Sequence, residues 1–176
     1  MSIQPPPDLP SMHLQSWDRL SKYSFRTGRT LTNRLGWGGE GVVYATDAKT
    51  AIKSYRHQPL FENERNVYFR LREKSVTVVQ QFAVPWLIAN DDELLCLEMS
   101  IVSPPFVLDF AGAYLDRESP FSDAELREWQ TERAEIFGKR WPEVRRAYYS
   151  FQAFGILLND VKPGNVSFPG DYDDDE

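Results

Sequence analysis

Two stretches of the sequence carry residue types suited to handling phosphate. The first is Gly36-Trp37-Gly38-Gly39-Glu40-Gly41-Val42-Val43, with glycine at 36, 38 and 41 and valine at 43. Glycines gather like this where a chain must bend close over a ligand, because a side chain would collide or cover the backbone N–H groups that hold phosphate oxygens. Lys53 follows in Ala51-Ile52-Lys53, and 11 residues after it comes Glu64. Tyr68 and Leu71 lie at +4 and +7 from Glu64, so a helical period turns Glu64 toward the core, whereas Glu62 points about 200° round the helix. The second stretch, Asp160-Val161-Lys162-Pro163-Gly164-Asn165, sets a carboxylate, an ammonium and an amide five residues or fewer apart, in a turn-forming context.

Together these stretches resemble the protein-kinase-like superfamily. The glycine segment fits G-x-G-x-x-G-x-V and lies between two strand-like runs, unlike a Rossmann glycine loop, and Ala51-Ile52-Lys53 is close to V-A-I-K. Gly155 to Val166 resembles the catalytic loop H-R-D-L-K-P-x-N, with the Asp-to-Asn interval of five. Its Pro163-Gly164-Asn165 is also similar to the aminoglycoside and choline kinase-like branch. The resemblance spans Leu31 to Phe168 in the family's order. It implies ATP and Mg²⁺ as cofactors, with Gly36, Gly38, Gly41 and Val43 over the nucleotide and Lys53 on its α- and β-phosphates, held by Glu64. It further implies a hinge at Glu98-Met99-Ser100, whose backbone meets adenine, with Leu97 at the back of the pocket. Asp160 would orient or deprotonate an attacking hydroxyl, Lys162 would sit near the transferring phosphoryl group, and Asn165 would hold metal. The acceptor would be a hydroxyl on a protein, in serine/threonine fashion, or on a small molecule.

These groups need a scaffold, and the sequence pattern supplies one. Strands are expected at Thr30–Leu35, Val42–Thr46 and Ala51–Tyr55, with Asp47-Ala48-Lys49 as a turn. Leu60–Leu71 has the spacing of an amphipathic helix. Strands follow at Ala83–Ile88 and Glu93–Met99, joined by Asn90-Asp91-Asp92. Ser122 with Glu125 is a capping box opening a helix through Glu135. Trp141-Pro142 opens another, with Val144, Ala147, Tyr148, Phe151 and Phe154 as its stripe and Gly155 as its stop. Strands before helices give an α+β class. The expected arrangement is a two-lobed kinase-like fold: a leader over 1–29, stiffened by Pro5, Pro6 and Pro7; an antiparallel N-lobe over 30–103; a reduced, mainly helical C-lobe over 104–168, entered at Pro104-Pro105; and an acidic tail over 169–176. The stretch from Phe106 to Pro120 carries no motif.

Three departures set limits. Leu158-Asn159 stand where the family has His-Arg. No Asp-Phe-Gly follows Asn165 before Glu176, 11 residues on. No segment corresponds to an activation loop or to peptide-binding helices, which leaves room for a protein partner that completes the C-lobe. The tail could return a metal-binding carboxylate through Asp171, Asp173, Asp174 or Asp175, since hard oxygen ligands suit Mg²⁺; it could equally be a solvated acidic end, or the natural chain could continue. Two functions therefore stand open: a minimal ATP-dependent phosphotransferase, or a pseudokinase acting as a nucleotide-binding or protein-interaction module.

The net charge of -6 speaks against nucleic-acid and membrane-surface partners. No apolar run approaches the roughly 20 residues that span a bilayer. The single cysteine, Cys96, excludes an internal disulfide and suits the reducing cytoplasm; its place is that of a small buried residue. His13 and His57 have no ligand partners at zinc spacing. Trp37 is either a lid over a nucleotide or a lone exposed aromatic, while Trp129, Trp141, Tyr148, Tyr149 and Phe151 are expected to pack.

Overall fold

The computed structural model describes residues 3–117 and 121–171. In chain order its elements are α1 (Leu14–Thr27), β1 (Leu31–Gly38), β2 (Gly41–Thr46), β3 (Thr50–Tyr55), α2 (Gln58–Glu73), β4 (Val78–Val79), β5 (Phe82–Ala83), β6 (Leu87–Asp91), β7 (Cys96–Ser100), β8 (Phe106–Val107), β9 (Tyr114–Leu115), α3 (Asp123–Phe137), α4 (Trp141–Gln152), β10 (Ile156–Leu157) and β11 (Val166–Ser167). The protein is of mixed α+β class. Two compact units form, one within Met1–Tyr68 and Pro85–Ile101, the other within Phe69–Val84 and Val102–Glu176. The division thus falls at Ile101 rather than at the proline pair, and the segment after Tyr68 belongs to the second unit. Among the described residues no helix is long and apolar enough to cross a membrane.

The first unit is a five-stranded antiparallel sheet in the order β1-β2-β3-β7-β6. β3 is buried at every position because both of its faces are covered. Side chains alternate across a strand and directly paired residues share a face. The pairs Tyr44↔Ile52 and Ile52↔Glu98 therefore define one face, and Val43↔Lys53 and Lys53↔Leu97 the other. α1 covers the first face with Trp17, Leu20 and Tyr23, which pack with Val42, Tyr44, Ile52, Leu94 and Cys96. At about 1.5–3 kcal/mol for each large side chain buried, these three anchors make α1 part of the core. This corrects the expectation of a leader over 1–29: residues 11–27 are helical, and Ile3 is itself tied down, donating its N–H to Ser21 Oγ (2.6 Å) and accepting from Trp17 Nε1 (2.9 Å).

The expected turns shift slightly. The Asp47–Lys49 turn forms as read, with Lys49 at φ 60° and Thr30 N–H bonded to Asp47 Oδ1 at 3.0 Å. The 83–88 strand does not form; Pro85 interrupts it, leaving β5 in one sheet and β6 in another. β6 runs on through Asp91, whose carboxylate accepts the N–H of Leu94 (2.9 Å) and so starts the turn two residues late.

In the second unit, β11-β8-β5-β4 form a small sheet and β9 pairs with β10. α3 opens with the Ser122/Glu125 capping box, and α4 buries Trp141, Val144, Ala147, Tyr148 and Phe151. α4 ends at Gln152, so Phe154 falls beyond it, and Gly155 takes the left-handed φ of 73° that the exit needs.

Cys96 is fully buried, and burial pushes its thiol up to about 12. At pH 8 about one molecule in 10,000 carries the thiolate, the reactive form. Iodoacetamide should therefore leave the native protein unlabelled over hours and label it fully in denaturant, which mass spectrometry reads directly.

Candidate functional site

β1 and β2 form a hairpin whose last pair is Gly38↔Gly41, leaving Gly39-Glu40 as its tip. The register puts the three motif glycines and Lys53 on one face: Gly36 pairs with Val43, Val43 with Lys53, Gly38 with Gly41 and Gly41 with Tyr55. On that face Gly36, Gly38 and Gly41 present no side chain, Val43 and Ala45 are the β2 side chains, and the Glu40 side chain reaches in from the tip. Gly41 is required for a second reason, since a Cβ there would stand 2.0 Å from the carbonyl oxygen of Ser54. The tip is fastened to the end of β3, where Arg56 donates its N–H to Glu40 O (2.7 Å) and its guanidinium to Gly39 O (3.1 Å).

Lys53 is 9% exposed. Its ammonium lies 2.7 Å from the Glu64 carboxylate of α2 and 2.9 Å from the Glu40 carboxylate at the hairpin tip. Glu64 is 1% exposed and also accepts the Tyr55 hydroxyl at 2.6 Å. The Lys53–Glu64 pair that the resemblance implies is formed. Glu40 was not singled out from the sequence, because it fills a position the glycine pattern leaves open.

The side chains of Glu98 and Ser100 are engaged away from Lys53. Glu98 pairs with Ile52 and so points to the α1 face, away from Lys53. There its carboxylate accepts from Tyr23 (3.0 Å), Arg29 (2.9 Å) and Thr50 (2.7 Å), and burial beside this carboxylate raises the Tyr23 hydroxyl well above its usual range. Its backbone sits between β3 and β6. Ser100 is bonded through its N–H and its hydroxyl to the backbone of Trp86 (2.9 and 2.8 Å). Leu97 and Met99 are the β7 side chains on the Lys53 face. Trp37, paired with Val42, also lies on the α1 face; it stacks on His13 at 6.4 Å, and the Arg34 guanidinium sits 3.8 Å from its ring centre.

In the second unit the Asp160–Asn165 loop links β10 to β11. Arg133 of α3 holds it by donating to Val161 O at 2.9 Å, and Val161 is buried. Asn165 N–H and Val166 N–H both return to Lys162 O (3.1 and 3.0 Å), a tight turn that needs Gly164 at φ 93°. The Asp160 carboxylate accepts from Lys162 (2.5 Å) and Asn165 Nδ2 (3.0 Å), and Asn165 Nδ2 also reaches Asp160 O at 3.1 Å. The Asn165 amide is thereby oriented with its oxygen turned away from Asp160.

Asp171 is engaged elsewhere. It pairs with Arg140 and accepts the N–H of Phe168 at 2.7 Å, closing the turn after β11; the Arg140 hydrogen bond holds its carboxyl below the ordinary range. Asp173, with the rest of the acidic end after Asp171, lies outside the described residues. A different carboxylate approaches the loop. β8 pairs with β11 through Val107↔Val166, and the ladder continues with Leu108 N–H on Asn165 O at 2.8 Å, so Asp109 stands one residue past the position opposite Asn165. Asp109 is half-buried at φ 66°, and Phe110 after it is fully buried against Phe151 of α4, with ring centres 5.6 Å apart. Asp109 was passed over in the sequence because its acid–aromatic pair precedes the loop by 51 residues instead of following it. Comparison with protein-family models finds none that matches the chain, and no curated protein matches it either.

Proposed function

We propose that the protein is an ATP-dependent phosphotransferase of protein-kinase-like type, acting in the cytoplasm on a hydroxyl-bearing acceptor. The observation that carries this reading is the Lys53 face of the first sheet: three glycines without side chains, a buried lysine on the adjoining strand, and a buried glutamate on α2 that fixes the ammonium. Bare backbone beside a positioned cation suits a polyphosphate and little else. The strand order β1-β2-β3-β7-β6 with α2 over the Lys53 face is also what a kinase-like N-lobe would need, and in this reading the second unit serves as a short C-lobe.

In this reading Lys53 neutralises the α- and β-phosphates. Asp160 accepts the proton of the acceptor hydroxyl as its oxygen bonds to the γ-phosphorus, the bond from that phosphorus to the β–γ bridging oxygen breaks, and ADP leaves. Lys162, paired with Asp160, balances charge on the transferring group in this reading. The donor set suits Mg²⁺: an amide oxygen from Asn165 and a carboxylate from Asp109, hard oxygens on the segments that flank the β8–β11 pair. Mg²⁺, when bound, neutralises charge on the phosphates. The reading thus draws its metal carboxylate from before the catalytic-type loop, in place of the tail.

Thermal denaturation with ATP, with and without Mg²⁺, tests the proposal. A ligand at 100 times its Kd stabilises the native state by about 2.7 kcal/mol. Wild type should show an ATP-dependent rise in Tm that Mg²⁺ enlarges and that Lys53→Met abolishes. No shift with ATP would overturn the reading; a shift indifferent to Mg²⁺, without transfer, would favour a pseudokinase binding module.

A further inference from the structure

We infer that Glu40 is a built-in competitor for Lys53, occupying with its carboxylate the place on the ammonium that an incoming phosphate takes. The inference rests on the nucleotide-binding reading of the Lys53 face. Glu64 alone suffices to position the lysine, being buried, 2.7 Å away and braced by Tyr55. Glu40 adds a second carboxylate at 2.9 Å, from the tip of the hairpin that would cover the phosphates. One ammonium then faces two carboxylates, and the local charge is already negative before any nucleotide enters. A phosphate reaching Lys53 with Glu40 in place would meet a like charge at contact distance in a partly dehydrated setting, which is strongly unfavourable.

The geometry also identifies the moving part. The Glu40 backbone is held by Arg56, so the tip need not lift. The Glu40 side chain is 28% exposed, against 2% for Glu64, and rotation about its own bonds takes it into water. Nucleotide entry exchanges Glu40 for phosphate on Lys53, and the hairpin stays in place throughout. Affinity for ATP is reduced by the fraction of molecules in which Glu40 holds the lysine.

Glu40→Gln keeps the size of the side chain and removes its charge. Measured calorimetrically with MgATP, it should bind about fivefold more tightly than wild type, the scale of a part-exposed ion pair released from competition. Adenosine, which has no phosphate to compete, should bind both proteins equally. Glu40→Asp, too short to span the gap, should tighten MgATP binding as well, and it guards against a folding defect peculiar to glutamine. Unchanged or weaker MgATP binding in both variants overturns the inference while leaving the nucleotide reading intact. Equal tightening for adenosine overturns it too, because the hairpin has then loosened generally. If neither wild type nor variants bind MgATP, the nucleotide reading itself has failed and the inference with it.

Discussion

Asp160→Asn should cut phosphoryl transfer by about 10²- to 10⁴-fold, the usual contribution of a positioned general base, while leaving the ATP-dependent rise in Tm at its wild-type value. The substitution is nearly isosteric. Its amide oxygen can still accept from Lys162 and from Asn165 Nδ2, the two contacts that hold the Asp160 carboxylate, so the turn around Gly164 is retained. What disappears is the ability to take a proton. Asp109→Asn should reduce transfer to a similar extent for a different reason and with a different signature: the enlargement of the Tm shift by Mg²⁺ should vanish, and raising Mg²⁺ should partly restore the rate. Asp171→Asn separates the two candidate sources of the metal carboxylate. Its partners are Arg140 and the Phe168 N–H, so its loss should loosen the turn after β11 without altering the Mg²⁺ dependence. If Asp171→Asn abolishes the Mg²⁺ effect and Asp109→Asn does not, the tail supplies the ligand after all.

The legible parts of this protein are those in which local chemistry and spacing coincide. The glycine hairpin, Lys53, the helix bearing Glu64 and the capping box at Ser122 each follow from a short run of residues, and each forms where it was expected. What could not be read depends on pairings distant in sequence. α1 is an exception: Trp17, Leu20 and Tyr23 recur at a spacing of three on one face, but the prolines before them led to a leader being expected there. The partners of the Glu98 side chain could not be read because strand parity needs a register, and the register is fixed only by the pairing of Ile52 with Glu98 across β3 and β7. Asp109 is the clearest case. No local pattern says that Phe106-Val107 will pair with Val166-Ser167, and without that pairing Asp109 is an acid in a featureless stretch.

Glu98→Leu should destabilise the protein by about 3 kcal/mol and leave nucleotide affinity unchanged in the fraction that folds. Glu98 is a 2% exposed carboxylate that binds α1, the segment after it and β3 together through Tyr23, Arg29 and Thr50. Leucine removes the acceptor for three donors at once. Two of those donors, the Tyr23 and Thr50 hydroxyls, are on buried residues, and a buried donor left without a partner costs roughly 1–3 kcal/mol. Arg29 is one-third exposed and can turn to water, so it adds less than a fully buried charge would. The apolar leucine recovers part of the loss by packing near Ile52. Urea unfolding gives the stability change from the midpoint and slope, and a nucleotide titration of the same variant gives the affinity. Glu98→Gln should cost less, since its amide oxygen still accepts from Thr50 or Tyr23. A variant that kept full stability but lost ATP binding would give the Glu98 side chain a role in binding the nucleotide. Lost stability with retained binding means that the sheet uses its two faces separately: Lys53, Glu64 and the glycines for the ligand, Glu98 and α1 for holding β3 and β7 in register.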